Sequence, residues 1–250
     1  MLFGERPFVD RIDAAAQAGF DAVECQFPYS TPAAQVRRLL EACSLPMIGI
    51  NTPPGDPARG EFGFAAVPGR EADFRDGLTR AIDYAQEIGA QTVHCMSGVL
   101  GGGDPSAARA TFLDNMSRAC DEAARCGLTL LIEPLNRYDR PDYFLTGSDQ
   151  AARLIEDLAR PELRLLFDVY HVQICEGDLL RRIGRHWPVI GHFQIASVPL
   201  RREPDEGEVS YRAILGDIAA RGWGGYVGCE YRPRVKTLEG LTWMQALAPR

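Results

Sequence analysis

The sequence lacks the features that mark membrane-bound or secreted proteins. Its 250 residues contain no stretch close to the ~18–20 consecutive apolar residues that a membrane-spanning helix needs. The segment from Met1 to Arg6 is followed by an amphipathic helical pattern that contains Asp10 and Asp13, which is unlike a signal peptide. We therefore expect a cytoplasmic protein without a membrane partner.

Positive charge is in deficit, and the cysteines are not spaced as pairs. Lysine and arginine total 27 against 34 aspartate and glutamate side chains, which gives a formal net charge of −7. Such a chain has no overall positive field to attract phosphate backbones, so we expect no nucleic-acid partner. The seven cysteines include no C-x-x-C pair, and a chain of this length needs no disulfides, so we expect reduced thiols.

Motifs of several common enzyme classes are also missing. The chain contains no G-x-S-x-G and no H-E-x-x-H, which excludes the motif-marked hydrolases and zinc proteases. The glycine cluster formed by Gly98 and residues 101–103 has neither the Rossmann spacing nor the lysine of a P-loop. Nucleotide binding through either motif is therefore not expected.

Helical and strand-like apolar patterns alternate along the whole chain. Leu78, Ala81, Ile82 and Ala85, for example, share one face of a helix, whereas the strand-length runs are apolar on both parities. Such runs are typical of parallel strands that are buried on both faces. The alternation predicts a parallel sheet with helical crossovers. The predicted strands span residues 20–25, 46–51, 92–96, 128–133, 163–168, 189–195 and 226–230.

Polar residues stand at the carboxyl end of strand after strand, namely Glu24, Asn51, His94, Glu133, Asp168, Gln194 and Glu230. In a closed barrel these ends converge on one mouth, where such enzymes place their chemistry. The sequence therefore predicts a single α/β domain over residues 1–250, a (β/α)₈ TIM barrel rather than an open doubly wound sheet. Only seven strands are visible, so we expect the first strand to be missing or truncated and to lie before Met1.

One long irregular stretch, residues 52–69, follows the predicted second strand on the side of the mouth. It is rich in proline and glycine, and its polarity predicts that it lies outside the core. Two interpretations stay open at this stage, a functional lid over the mouth and an ordinary solvated insertion.

Four of the mouth residues share a chemical logic. Glu133, Asp168, Gln194 and Glu230 each end an apolar strand, at intervals of 35, 26 and 36 residues, so they are neighbours around half of the rim. Any one of them alone could be a loop cap or an ion-pair partner. Together, three carboxylates that face one another repel unless a cation lies between them. Because all four side chains offer oxygen, the pattern predicts a Mg²⁺ or Mn²⁺ site.

Two histidines and one arginine lie beside this set. His94 ends a strand, His171 follows Asp168 by three residues, and Arg201 lies in the loop after Gln194. Taken singly, each could be structural or a surface charge. Together they offer donors to an anionic or hydroxylated ligand beside the metal, so we expect them to bind substrate. His186 and His192 are expected to be structural.

Paired carboxylates beside a metal can move a proton between adjacent carbon atoms. One carboxylate removes the proton and the other returns it, while the cation stabilises the developing enediolate oxygens. This is the chemistry of aldose–ketose isomerisation or of epimerisation next to a carbonyl group. Glu133 and Glu230, as the outer members of the four, are the predicted catalytic pair.

Eight segments of the chain match a known family: VECQFPY, INTPPGD, PGREADFRDG, LLIEPLN, FDVYH, IGHFQIA, REPDEGEVSY and GYVGCEYRP. Through them the chain resembles the hydroxypyruvate isomerase family of the xylose-isomerase-like barrel superfamily, which includes 2-oxotetronate isomerase. The resemblance implies a metal held by Glu133, Asp168, Gln194 and Glu230, with Glu133 and Glu230 exchanging the proton and with His171 and Arg201 near the substrate. Ketose 3-epimerases and abasic-site endonucleases resemble this barrel less well, since the former usually have His where Gln194 stands and the latter carry more histidine ligands.

The resemblance implies a metal-dependent conversion of hydroxypyruvate to tartronate semialdehyde, with a short hydroxy-oxo acid as the small-molecule partner. The alternatives are a 2-oxotetronate isomerase, a related ketose 3-epimerase, and a non-catalytic barrel that binds a sugar acid. The oligomeric state stays open between a monomer and a homo-oligomer.

Overall fold

The computed structural model describes residues 1–247, in which seven parallel strands form one sheet in sequence order. The strands are β1 (Val23–Cys25), β2 (Met47–Asn51), β3 (Thr92–His94), β4 (Thr129–Ile132), β5 (Leu163–Asp168), β6 (Ile190–Ile195) and β7 (Val227–Cys229). The helices are α1 (Phe8–Gln17), α2 (Ala33–Cys43), α3 (Glu71–Ile88), α4 (Pro105–Cys126), α5 (Ser148–Leu158), α6 (Val169–Cys175), α7 (Leu179–His186), α8 (Tyr211–Ala220), α9 (Thr237–Gly240) and α10 (Thr242–Leu247). The predicted strands are thus confirmed, as a nearly closed TIM barrel.

The sheet order runs from β1 to β7, and these two strands form the edges of a seam within residues 1–247. Residues 1–7 form turns and bends there rather than a strand. Side chains cross this seam: the Phe3 N–H donates to Thr237 Oγ1 at 2.6 Å, and Gln26 Nε2 donates to Glu230 Oε1. The carboxyl ends of all seven strands therefore face a common mouth.

Strand β5 shows why these segments fold as buried parallel strands. Leu165, Leu166 and Phe167 are all buried, so both faces of the strand are covered. Alternation points Leu166 and Asp168 into the barrel and Phe167 outward under the helices. The Phe167 ring meets that of Phe193 on β6, with 5.8 Å between centroids. The aliphatic strand thus fixes which side its terminal carboxylate faces.

Residues 52–69 differ from the expectation that this stretch lies outside the core. Phe64, Ala65 and Ala66 are buried in the main hydrophobic cluster. Gly63 pairs with Ser97 by an isolated bridge, and its φ of 94° excludes most side chains. The average polarity of residues 52–69 did not reveal the short apolar segment of residues 64–66, which packs against the barrel.

Helix α6 begins directly after β5. Asp168 ends the strand and also caps the helix, because its Oδ1 accepts from the Tyr170 N–H at 2.9 Å. His171 therefore lies in the first turn, close to Asp168. The short helices α9 and α10 were not predicted. Within residues 1–247, none of the helices combines the length and apolar character needed to cross a bilayer.

Candidate active site and metal centre

The four predicted ligands lie together at the mouth, each placed by its strand. Asp168 and Gln194 are register partners on β5 and β6, whereas Glu133 and Glu230 directly follow β4 and β7. All four are buried, with exposed fractions between 1% and 8%. Four buried oxygen-bearing side chains in one place are costly unless they hold a partner.

Electrostatic repulsion within this cluster is strong. Burial raises the pKa of Glu133 well above its ordinary value, and the neighbouring negative charges of Glu230 and Asp168 raise it further. Burial likewise raises the pKa of Asp168 to about 7, although the Arg201 guanidinium opposes this rise, and burial raises the pKa of Glu230. A divalent cation would relieve the repulsion and favour the ionised carboxylates.

Three oxygen atoms of the cluster are buried and have no hydrogen-bond partner among the described residues: Glu133 Oε1, Asp168 Oδ2 and Gln194 Oε1. Buried polar atoms almost always have a hydrogen-bond partner, so three buried oxygen atoms without one indicate that a bound partner is missing. Glu230 differs, because Gln26 and Arg201 already donate to its oxygens. Its remaining lone pairs can still bind a cation. The donor set fits a hard divalent metal ion.

His171 also lies close enough to be a ligand, since one atom each from Glu133, Asp168 and His171 lie within 4.8 Å of one another. Its Nδ1, however, accepts from the Asn136 backbone N–H at 3.0 Å. Burial, followed by the Arg201 charge, holds the pKa of His171 well below its ordinary value, so the ring is neutral. The single ring proton is then on Nε2, which makes His171 a hydrogen-bond donor at the site rather than a metal ligand.

His94 faces the same carboxylate from the other side. Its Nδ1 lies 3.7 Å from Glu133 Oε2, and its buried Nε2 has no partner within residues 1–247. Burial lowers the pKa of His94 to about 4, so this ring is also neutral at pH 7. A neutral imidazole with a free nitrogen can bind a hydroxyl or carbonyl oxygen of a ligand.

Arg201 is brought into the cluster by its loop. Its Nη2 lies 2.5 Å from Glu230 Oε2 and 3.5 Å from Asp168 Oδ2, and its guanidinium stacks on Tyr170. Although burial lowers the pKa of Arg201, the adjacent carboxylates, Glu230 first, raise it above its ordinary value. Its Nε is buried and has no partner in the described chain. One donor of this fixed positive charge is thus free for an anionic ligand.

Sequence reasoning missed two residues that touch the site. Gln26 donates to Glu230, and it follows Glu24 by two positions, so strand alternation could have found it. Asn136 orients His171 through its backbone N–H and lies in the loop after Glu133, where no periodic signal exists. The other two histidines contact none of the four predicted ligands through these ion pairs. His186 Nε2 lies 3.2 Å from Asp149 Oδ1, and His192 Nε2 lies 2.8 Å from Glu24 Oε2.

The repulsion predicts that Asp168→Asn stabilises the metal-free protein while weakening metal binding. Because folding raises the pKa of Asp168, its protonated form stabilises the fold at low pH, and this contribution is lost as pH rises from about 4 through about 7. Asparagine stays neutral and can still accept from the Tyr170 N–H. We expect the variant to be more stable at pH 8 by about 2–4 kcal/mol.

Urea unfolding of the chelator-treated proteins at pH 8 and pH 4 measures this difference. The gain should shrink towards zero at pH 4, where the wild-type carboxyl group is protonated as well. A metal-free variant that is no more stable than the wild type at pH 8 would contradict the electrostatic description of the cluster.

Comparison with known proteins agrees with the barrel fold. A family profile described as a xylose isomerase-like TIM barrel matches residues 12–247. The 2-oxo-tetronate isomerase of Cupriavidus necator is 45% identical over 98% of this chain and 95% of its own length. The hydroxypyruvate isomerase of Escherichia coli is 40% identical over 98% of this chain and 95% of its own length.

Solved structures match as well. A crystal structure described as an AP endonuclease, family 2, from Brucella melitensis has a TM-score of 0.96 and 43% identity, covering 98% of this chain and 95% of that one. The 3-keto-D-glucoside 4-epimerase of E. coli has a TM-score of 0.85 at 19% identity, which shows the fold alone, over 97% of this chain and 96% of that one. The chain therefore belongs to the xylose isomerase-like TIM barrel family and is an isomerase related to the hydroxypyruvate and 2-oxo-tetronate isomerases.

Proposed function

We propose that this isomerase interconverts hydroxypyruvate and tartronate semialdehyde with Mg²⁺ or Mn²⁺ held by Glu133, Asp168, Gln194 and Glu230. The observation that carries the proposal is that three buried oxygens of the cluster have no hydrogen-bond partner among the described residues, and that two of them belong to carboxyl groups whose pKa burial raises, Glu133 and Asp168. A small oxo acid and a divalent ion together supply what this cluster lacks, positive charge and a polar partner.

The bound metal ion would supply positive charge where the substrate oxygens become negative. Glu133 and Glu230 form the proton-transfer pair. One carboxylate takes the proton from C3 of hydroxypyruvate, the electron pair forms the C2–C3 double bond of an enediolate, and the other carboxyl group delivers a proton to C2. The hydroxyl proton passes from O3 to O2, so no oxidant or reductant is needed. Burial raises the pKa of both carboxyl groups in the metal-free site, and a raised pKa favours uptake of a proton by a carboxylate base.

The remaining side chains bind and orient the acid. Arg201 offers its free Nε–H to the substrate carboxylate. The Nε2–H of His171 is fixed by Asn136 and can donate to a substrate oxygen, and His94 can bind a second oxygen. Because both rings are neutral, they do not compete with the metal ion for the carboxylates.

A four-carbon substrate is the second candidate, favoured by the 45% identity to the 2-oxo-tetronate isomerase of C. necator. The chemistry is the same, since a hydroxymethyl group merely replaces one hydrogen on C3. The ketose 3-epimerase alternative has less support, because the structural neighbours with 3-epimerase names are 14–20% identical. An endonuclease activity is disfavoured by the net charge of −7.

A substrate panel tests the proposal. The chelator-treated protein, reloaded with Mn²⁺, is incubated in D₂O with hydroxypyruvate or with either enantiomer of 2-oxo-tetronate, and products are followed by ¹H NMR. We expect tartronate semialdehyde with deuterium at C2. Turnover of the four-carbon acid alone would select the second candidate. Binding without carbon-bound deuterium exchange in any of them would overturn the isomerase mechanism in favour of a binding barrel.

A further inference from the structure

The amide of Gln194 needs a defined orientation to serve as a metal ligand. Its Nε2 donates to Glu24 Oε1 at 3.0 Å, and its Oε1 is buried without a hydrogen-bond partner among the described residues. If the amide rotated by half a turn, two N–H donors would face the metal site and no ligand atom would remain. We propose that Glu24, on β1, is a positioning residue that holds Gln194 Oε1 towards the metal; this inference rests on the metal site proposed above.

Glu24 is itself held in place from a second side. Its Oε2 accepts from His192 Nε2 at 2.8 Å, so both carboxylate oxygens are engaged. His192 and Gln194 lie two residues apart on β6, and both side chains therefore point to the same side of that strand. One carboxylate from β1 thus joins two successive inward side chains of β6 across the seam.

Gly228 gives an independent observation. It is the register partner of Gln194 on β7, and its φ is not among the positive values that require glycine. A Cβ atom there would overlap Glu24 Oε1, and it would lie 2.9 Å from Glu24 Cδ and 3.0 Å from Gln194 Cγ. The glycine is explained by the passage of the Glu24 carboxylate beside β7 on its way to Gln194.

Loss of the contact between Glu24 and Gln194 is expected to lower the affinity for the metal ion, and turnover falls only as a consequence. Partners that orient metal ligands typically change affinity by about 10–100-fold when they are removed. Glu24→Ala should therefore weaken Mn²⁺ binding by about that factor. Gly228→Ala should weaken it as well, because the added methyl group displaces the Glu24 carboxylate.

Titration of the full-length, metal-free protein with Mn²⁺, with free Mn²⁺ read by electron paramagnetic resonance, measures the affinity directly. Glu24→Gln is the rescue variant, because its carbonyl oxygen can still accept from Gln194, and we expect it to bind within about threefold of wild type. The matched control is Glu176→Ala. Glu176 is a similarly half-buried, ion-paired glutamate that contacts Arg182 at 2.9 Å, outside the site, and its loss should leave Mn²⁺ affinity unchanged.

A second background separates orientation from general structural damage. In Gln194→Glu both terminal atoms are oxygen, so orientation no longer matters, and the new carboxylate repels that of Glu24. Adding Glu24→Ala to this background should leave Mn²⁺ affinity unchanged or raise it, whereas the same substitution lowers the affinity in the wild-type background.

An equal loss in both backgrounds, or a Glu24→Ala protein that binds Mn²⁺ as the wild type does, would overturn the positioning role alone. A wild-type protein that binds no Mn²⁺ would overturn the proposed metal site together with it, so the two failures are distinguishable.

Discussion

Glu133→Gln is expected to lower kcat for hydroxypyruvate by at least about 10³-fold at saturating Mn²⁺, and Glu230→Gln by a similar factor. Removing a general acid or base typically costs about 10²–10⁴-fold, and the affected group here is also beside the developing charge. Glutamine keeps an oxygen for the metal ion but cannot carry the proton. Steady-state kinetics, with Mn²⁺ occupancy measured on the same samples, separates lost proton transfer from lost metal.

The two variants should differ in partial reactions. If each carboxylate serves one carbon, the variant that lacks the group at C2 still exchanges the C3 hydrogen of hydroxypyruvate with D₂O, whereas the other variant does not. Glu176→Gln is the matched control, because Glu176 is a half-buried, ion-paired glutamate outside the mouth. Near-normal turnover in either site variant would contradict the two-carboxylate mechanism.

Arg201→Met should lower kcat/KM by about 10²-fold or more, mainly through a higher KM. The substitution removes the only arginine within hydrogen-bonding distance of Glu230 among the described residues, together with the free Nε–H assigned to the substrate carboxylate. Loss of one partner of a buried ion pair typically costs about 3–5 kcal/mol, so a lower stability of the metal-free variant is expected too.

The neighbouring Arg202 provides the control for this loop. It is exposed and forms no ion pair in the part of the chain that the structure describes, so Arg202→Met should leave both KM and stability near wild type. Arg201→Lys keeps the charge but loses the planar fork and should fall between the two variants. An Arg201→Met enzyme with unchanged KM would contradict the carboxylate-binding role.

The strands could be predicted because parallel strands buried on both faces are apolar on both parities. The predicted bounds of β5, residues 163–168, agree with the structure. Strands β1, β3 and β7 have three residues each and are shorter than their apolar runs. The end of a strand is set by its hydrogen bonds to the neighbouring strand, and the apolar run of one strand carries no information about that neighbour. The buried centre of residues 52–69 was missed for the same reason, because its packing partners lie around Ser97.

The convergence of Glu133, Asp168, Gln194 and Glu230 was predictable because parallel strands bring their carboxyl ends to one edge. The finer geometry was not. The tautomer of His171 depends on a backbone N–H in an irregular loop. The orientation of Gln194 depends on the carboxylate of Glu24, which is 170 positions away in the sequence. Such contacts leave no periodic signal, and they decide which atoms face the metal and the substrate.

The central claim is that a divalent ion among these four side chains is required for proton transfer. The most direct measurement is the rate of tartronate semialdehyde formation from hydroxypyruvate by chelator-treated protein, before and after stepwise addition of Mn²⁺. We expect no turnover without metal and full activity at one equivalent of Mn²⁺ per chain. Turnover that survives complete chelation, or that does not respond to added Mn²⁺ or Mg²⁺, would contradict the claim.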